Sequence, residues 1–236
     1  MPQTDEKFHI LSREAGIITE LLTSGLENLR RISIDQAFYY QAFYSLSIGL
    51  ERFLKLIIYV ENPATNLRSF GHRLVDLRRV VDIRVIPNSI EENFFIFLNN
   101  FATGDRYSIL DYLSGQNTSQ IIDEPIVKFY NDIFLEVLRV HPPKRAWIPP
   151  QIDFASVFHT REDLTEINNF ADLVVHGQVV DHVSKYCVMY FGRLIQPFIE
   201  RISAYEGPPN NPFFSEGFRY LRQPDSYFLS RKTFRS

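Results

Sequence analysis

Two groups of side chains in this sequence have types and spacings that could do chemistry. In the first, Asp172 and His176 are four residues apart, so both lie on one side of a helix, and His182 follows six residues later. A carboxylate and two imidazoles could hold a divalent metal ion. Alternatively, His176 ends a helix and Asp172 only hydrogen-bonds to it. The alternative is favoured because no second carboxylate–histidine pair has this spacing, and we expect no metal ion or other cofactor.

The second group is a run of basic residues between positions 68 and 84. It contains one histidine and five arginines against two acids: His72, Arg68, Arg73, Arg78, Arg79 and Arg84, with Asp76 and Asp82. Guanidinium groups are suited to phosphate contacts. Spacings of three and four also allow ion pairs on a solvated helix face, as in Arg73–Asp76 and Arg78–Asp82. The candidate phosphate- or RNA-binding residues are Arg68, His72, Arg73, Arg79 and Arg106.

The last 27 residues combine large aromatic side chains with basic ones. The aromatic residues are Phe213, Phe214, Phe218, Tyr220, Tyr227, Phe228 and Phe234. Single-stranded RNA binders use such residues to stack bases and contact the backbone. Packing of the aromatic rings over a helical bundle or a second subunit is the alternative that we favour, because exposing them to water is costly.

The elements that must position these groups are predicted to be helices, because apolar residues recur at spacings of three and four. The predicted helices cover 8–31, 34–62, 72–82, 90–101, 126–140, 164–174 and 180–205. We predict a break at His176-Gly177 and a buried position for Val140. Residues 81–85 also alternate as a strand would, which leaves two interpretations for that segment.

Composition sets the broad class of protein. The chain has 236 residues, 45% hydrophobic and 22% charged, with a net charge of −3, so it shows no global signature of polyanion binding. Cys187 is the only cysteine, which excludes an intrachain disulfide. No signal peptide or apolar span is recognisable, so we expect a cytoplasmic protein that does not enter a membrane. We expect one domain over 1–206, with a proline-rich internal loop at 142–153, and an aromatic, basic extension over 207–236.

Three segments resemble the HEPN superfamily. They are SLSIGLERFLKL at 45–56, GHRLVDL at 71–77 and ADLVVHG at 171–177. They are similar to the family's "siGlErllK" helix, its "GHxLxxL" element and its "RNxxVHG" segment.

The resemblance implies an all-α, up-and-down bundle that forms homodimers, here with inserted short helices and an irregular aromatic C-terminal tail. Active members are metal-independent endoribonucleases of toxin–antitoxin and phage-defence systems. In them an Arg and a His from two subunits meet and cleave RNA through its 2′-hydroxyl. His176 matches the family's histidine and Asp172 its polar position, but Ala171 stands where the arginine is expected. Arg106, Arg161 or an arginine from a second subunit could substitute.

This departure leaves two functions open. The first is a catalytically degenerate module that binds another protein, such as an antitoxin or a defence component. The second is a metal-independent endoribonuclease or RNA-binding effector that uses His176. The missing arginine favours the first function, and the basic segments keep the second open.

Overall fold

The computed structural model describes residues 2–32, 36–104, 125–143, 170–207 and 211–234, without the side chains of 2–5, 36 and 170–176. All regular structure in these ranges is helical, which confirms the predicted all-α bundle. The helices are α1 (Pro2–Arg30), α2 (Gln36–Glu61), α3 (Leu74–Val81), α4 (Ile90–Thr103), α5 (Pro125–Phe129, a π-helical turn Tyr130–Phe134, and Leu135–Val140), α6 (Phe170–Ser203), α7 (Phe214–Gly217) and α8 (Asp225–Ser230). A 3-10 turn, Leu67–Phe70, lies between α2 and α3.

Helices α1 and α2 pack closely because each presents a glycine to a leucine of the other. A Cβ atom on Gly25 would lie 2.6 Å from Leu46 Cδ2, and one on Gly49 would lie 2.7 Å from Leu22 Cδ2. Real Cβ atoms do not approach so closely, so a larger residue at either position would overpack the interface. These glycines therefore lower intrinsic helix propensity but allow the two long helices to approach.

Helix α6 is the centre of the bundle, since it contacts α1, α2, α4, α5, α7 and α8. It runs from Phe170 to Ser203 without interruption, so the predicted break at His176-Gly177 is wrong. Glycine costs a helix only about 1 kcal/mol, which the burial of Val179, Val180 and Val183 directly after this point can offset. Cys187, on the same helix, is fully buried.

A π-helical turn explains why the expected burial of Val140 is wrong. Val140 is 45% exposed, while Phe129, Ile133 and Val137 are buried at constant spacings of four. A π turn bonds residue i to i+5, one residue more than an α turn, and so rotates the rest of the helix by about 100°. The inward position after Val137 is therefore His141, and Val140 points to solvent.

The segment 81–85, for which a strand was the alternative interpretation, forms no strand. Helix α3 ends at Val81, Asp82 adopts a left-handed conformation with a φ of 54°, and 83–86 have neither helix nor bridge. The helical interpretation is correct up to Val81.

The aromatic rings of the C-terminal segment are mostly part of the core. Phe214, Phe218, Phe228 and Phe234 are fully buried, whereas Phe213 is 55% exposed. The ring of Phe218 stacks on that of Phe53 in α2, with centroids 4.6 Å apart and planes 30° apart. Packing over the bundle, rather than stacking on RNA bases, thus accounts for these rings.

One buried cation connects α1 with α6. Arg30 is only 6% exposed, and its Nη1 donates to Asp181 Oδ1 at 3.0 Å and to Ser184 Oγ at 2.9 Å. Its Nε is buried without a hydrogen-bond acceptor. Buried arginines normally satisfy their donors, so this contact holds the helices together at the cost of one unmade hydrogen bond.

Across the described ranges, no helix combines the length and apolar composition that crossing a lipid bilayer requires.

Candidate functional site

The basic segment lies on the connection from α2 to α3 and on α3 itself. Asn66 caps the 3-10 turn by accepting a hydrogen bond from the Arg68 N–H at 3.2 Å, and Gly71 turns the chain with a φ of +54°. The turn carries Arg68, the loop carries His72 and Arg73, and α3 carries Arg79. Of the five candidate binding residues, Arg106 lies outside the described residues.

Glu51 of α2 binds this connection to the bundle. Its carboxylate, on a residue that is largely buried, accepts hydrogen bonds from His72 Nδ1 at 2.7 Å and from Lys55 Nζ at 2.6 Å. The Lys55 ammonium also donates to the carbonyl oxygen of Gly71 at 2.9 Å. His72 therefore pairs with a carboxylate of the same chain, so its Nδ1 is not available to bind a phosphate.

The arginines of α3 are paired with carboxylates in a similar way. Asp76 contacts Arg73 Nε at 3.1 Å, which confirms the pair expected from their spacing, and Arg79 Nη1 at 3.3 Å. Arg78 pairs across helices with Glu92 at 3.7 Å, so the expected pair with Asp82 is wrong. The structure therefore groups His72 with Glu51 and the arginines with carboxylates, and does not gather the cations around one point.

Arg68 and Arg84 differ from their neighbours. Neither side chain makes an ion pair within the described part of the chain, and both residues are exposed. Two separated exposed arginines form a much weaker phosphate site than the five residues expected from the sequence, because most of that positive charge is already neutralised.

The other candidate pair, Asp172 and His176, lies on α6. An unbroken helix places the two positions one turn apart on the same face, as their spacing predicts. Their side chains, and any metal site that includes them, lie outside the described residues. His182 Nε2 donates to the carbonyl oxygen of His141 at 2.9 Å, so that nitrogen is committed to a contact with α5.

A cluster of histidine and tyrosine side chains, which was not predicted from the sequence, lies between the end of α5 and α6. His141 stacks on Tyr186 with ring centroids 3.9 Å apart and planes 9° apart, and its Nε2 shares a hydrogen bond of 2.9 Å with the Tyr190 hydroxyl. His182, Tyr186 and Tyr190 recur at intervals of four along α6, and that stripe is the signal available in the sequence.

Burial lowers the pKa of His141, and the charges of Arg193 and His182 lower it further. The neutral ring is therefore the form that the folded protein prefers. In the unfolded chain the pKa of this histidine returns to about 6.5. As the pH falls, the unfolded state therefore binds the proton at a higher pH than the folded state does.

We expect the folded protein to lose stability as the pH falls from about 6.5 toward the lowered pKa of His141. Urea unfolding between pH 8 and pH 5 measures this loss. His141→Phe should keep the stacking on Tyr186 and flatten the profile in that window. His9→Asn, which changes an exposed histidine on α1, should leave the profile unchanged. A His141→Phe profile as steep as that of the wild type would assign the loss to other groups.

A groove of about 440 Å³ borders the basic segment between α1 and α2. Its apolar lining includes Ile10, Leu56 and Tyr59. The Arg52 guanidinium that lines it is paired twice with Glu14, at 2.9 and 2.6 Å. The groove therefore offers apolar surface and charged side chains of both signs, an arrangement suited to a protein surface more than to a polyanion.

Compared with models of protein families, with curated proteins and with solved structures, the chain matches none.

Proposed function

We propose that this chain is a HEPN-like helical module that acts by binding another protein and has lost ribonuclease activity. The observation that carries the proposal is the pairing of the basic segment with carboxylates. His72 is bound by Glu51, and Arg73 and Arg79 share Asp76. An RNA-binding site needs such cations free for phosphate, and a module that binds proteins does not.

The positions of the three HEPN-like segments support the family part of the proposal. Segment 45–56 lies in α2, 71–77 enters α3, and 171–177 lies in α6, all within one all-α bundle. The first two segments are in direct contact, because Glu51 and Lys55 bind His72 and the Gly71 carbonyl. We further propose that the module works as a cytoplasmic homodimer, in a toxin–antitoxin or phage-defence setting.

A second candidate function, a metal-independent endoribonuclease, is favoured by one observation. The uninterrupted α6 places Asp172 and His176 one turn apart. A histidine can transfer protons near neutral pH, which is what cleavage through a 2′-hydroxyl requires. This candidate lacks an arginine at position 171 to stabilise the phosphate.

Cleavage of a labelled structured RNA, with EDTA present, decides between the two functions. The wild type should leave the RNA intact, as should His176→Ala and His72→Ala. RNA binding, where it occurs, should be weak and should fall steeply with added salt. His9→Ala serves as the control for removing an exposed imidazole.

Cleavage by the wild type that is lost in His176→Ala but kept in His9→Ala would establish the endoribonuclease instead. Loss only in His72→Ala would move the catalytic site to the basic segment. A monomer by light scattering at micromolar concentration would contradict the homodimer.

A further inference from the structure

The chain between α3 and α4 has the side-chain alternation of a β-strand without a strand partner. In residues 83–86, Ile83 and Val85 pack against the core, while Arg84 and Ile86 are exposed, the latter to 76%. The sequence of this segment alternates, and the structure retains the alternation although no sheet forms. A strand-like segment on the surface is a template on which a second chain can pair.

The backbone of this segment is also unpaired. Asp82 and Asn88, with φ of 54° and 59°, turn the chain at either side of it. Among the hydrogen bonds of the described residues, none involves the main chain of 83–85, and the Ile86 carbonyl accepts one at 3.3 Å from the Ser89 N–H. The N–H and C=O groups of three successive residues are thus available to a partner.

The groove beside this segment carries more positive than negative charge. It has a volume of about 580 Å³, and its described lining includes three arginines and one carboxylate: Arg78, Arg79, Arg84 and Asp82. The Arg78 guanidinium lies 4.4 Å from the centre of the Phe95 ring, and its Nη1 is buried without a hydrogen-bond acceptor. Arg84 makes no ion pair with a described residue. Arg78 already pairs with Glu92 at 3.7 Å, so Arg84 is the arginine of this groove with which a carboxylate from outside would pair.

The three observations indicate what kind of molecule would bind to residues 83–86 and the groove beside them. An unpaired main chain fits an extended peptide, because RNA has no peptide groups with which to pair. Exposed Ile86 beside Pro87 offers apolar contact. Arg84, which makes no ion pair with a described residue, and the excess positive charge of the groove favour acidic side chains in that peptide.

We propose that residues 83–86 are the edge to which a partner protein adds an extended segment of alternating acidic and apolar residues, with a carboxylate on Arg84. This inference rests on the proposed protein-binding function and names the surface that performs it.

Fluorescence anisotropy with synthetic peptides tests the proposal. The probe is a labelled decapeptide of alternating glutamate and isoleucine. Two control peptides replace the glutamates with lysine or place prolines at alternate positions, which removes the N–H groups that would pair. The acidic peptide should bind the full chain with a Kd on the order of 10–100 μM, and both controls should bind about tenfold more weakly or not at all.

Two variants of the protein localise the binding. Arg84→Glu and Ile86→Ser change exposed residues and should each weaken binding of the acidic peptide about tenfold. Arg13→Glu reverses an exposed arginine on α1 that does not line the groove, and it should bind as the wild type does. Circular dichroism spectra that match the wild type exclude unfolding as the cause.

The proposed docking surface is contradicted if the acidic peptide fails to bind at millimolar concentration. It is also overturned if Arg84→Glu binds the peptide as well as Arg13→Glu does, or if a labelled single-stranded RNA binds in an Arg84-dependent manner and the peptide does not. These outcomes differ from failure of the proposed function, which is measured separately as His176-dependent cleavage of RNA.

Discussion

Replacing Phe218 with alanine is expected to lower the free energy of unfolding by about 3–5 kcal/mol, the usual cost of removing a fully buried phenylalanine. Phe218 has no exposed surface, and its ring stacks on Phe53 at 4.6 Å. The loss combines the transfer of the ring to water with the cavity left between α2 and the C-terminal segment.

Phe213→Ala is the matched control, in the same segment and with the same change of side chain. Because Phe213 is 55% exposed, its replacement should change the free energy of unfolding by about 0.5 kcal/mol or less. Urea unfolding followed by circular dichroism measures both values. Equal and small effects would show that the C-terminal segment is peripheral to the bundle.

The second large effect is expected at the contact of Arg30 with Asp181. Asp181→Ala should destabilise the protein by about 2 kcal/mol, less than the 3–5 kcal/mol of a fully buried pair because the carboxylate is partly solvated. The Asp181 side chain is 47% exposed and that of Arg30 only 2%. Removal of the carboxylate would therefore leave a buried guanidinium with Ser184 as its remaining side-chain acceptor.

Arg30→Met should cost less than Asp181→Ala, about 1 kcal/mol or less, because methionine fills most of the same volume and leaves no buried charge. In that variant the Asp181 carboxylate remains hydrated and keeps its ion pair with Lys185 at 2.9 Å. Urea unfolding of both variants and of the double variant measures the coupling. A larger loss for Arg30→Met than for Asp181→Ala would contradict this account.

The pKa of Asp181 is consistent with that arrangement. Burial alone would raise the pKa of the carboxyl, but hydrogen bonds from Lys185 and Arg30 outweigh burial and hold it below its ordinary value. The ionised carboxylate is thus the folded form, and its contribution to stability is present above the unfolded pKa of about 3.9 and lost as the pH falls below it.

The long helices could be predicted from the sequence because their buried faces repeat at three and four residues. In α2, for example, Phe43, Leu46, Leu50 and Phe53 recur in this way, and all four are buried. The position of Val140 could not be predicted, since the pattern assumes an α-helix throughout and α5 contains a π turn.

Ion pairs of the candidate site could be predicted only where the two residues are close together in the sequence. The pairs Glu51–Lys55 and Arg73–Asp76 join positions four and three apart along the chain. The contacts of Glu51 with His72 and of Arg78 with Glu92 join residues 21 and 14 positions apart, which only the tertiary fold brings together. The sequence therefore indicated a basic segment but not that most of its cations are neutralised.

The π turn in α5 has a consequence for how this chain can change in length. The number of residues within Tyr130–Phe134, whichever side chains they carry, sets the rotation of the helix beyond the turn. Losing one residue would restore an α-helix, turn Val140 toward α6 and carry His141 away from Tyr186 and Tyr190. Chains that preserve the contact between α5 and α6 should therefore exclude insertions and deletions in this turn.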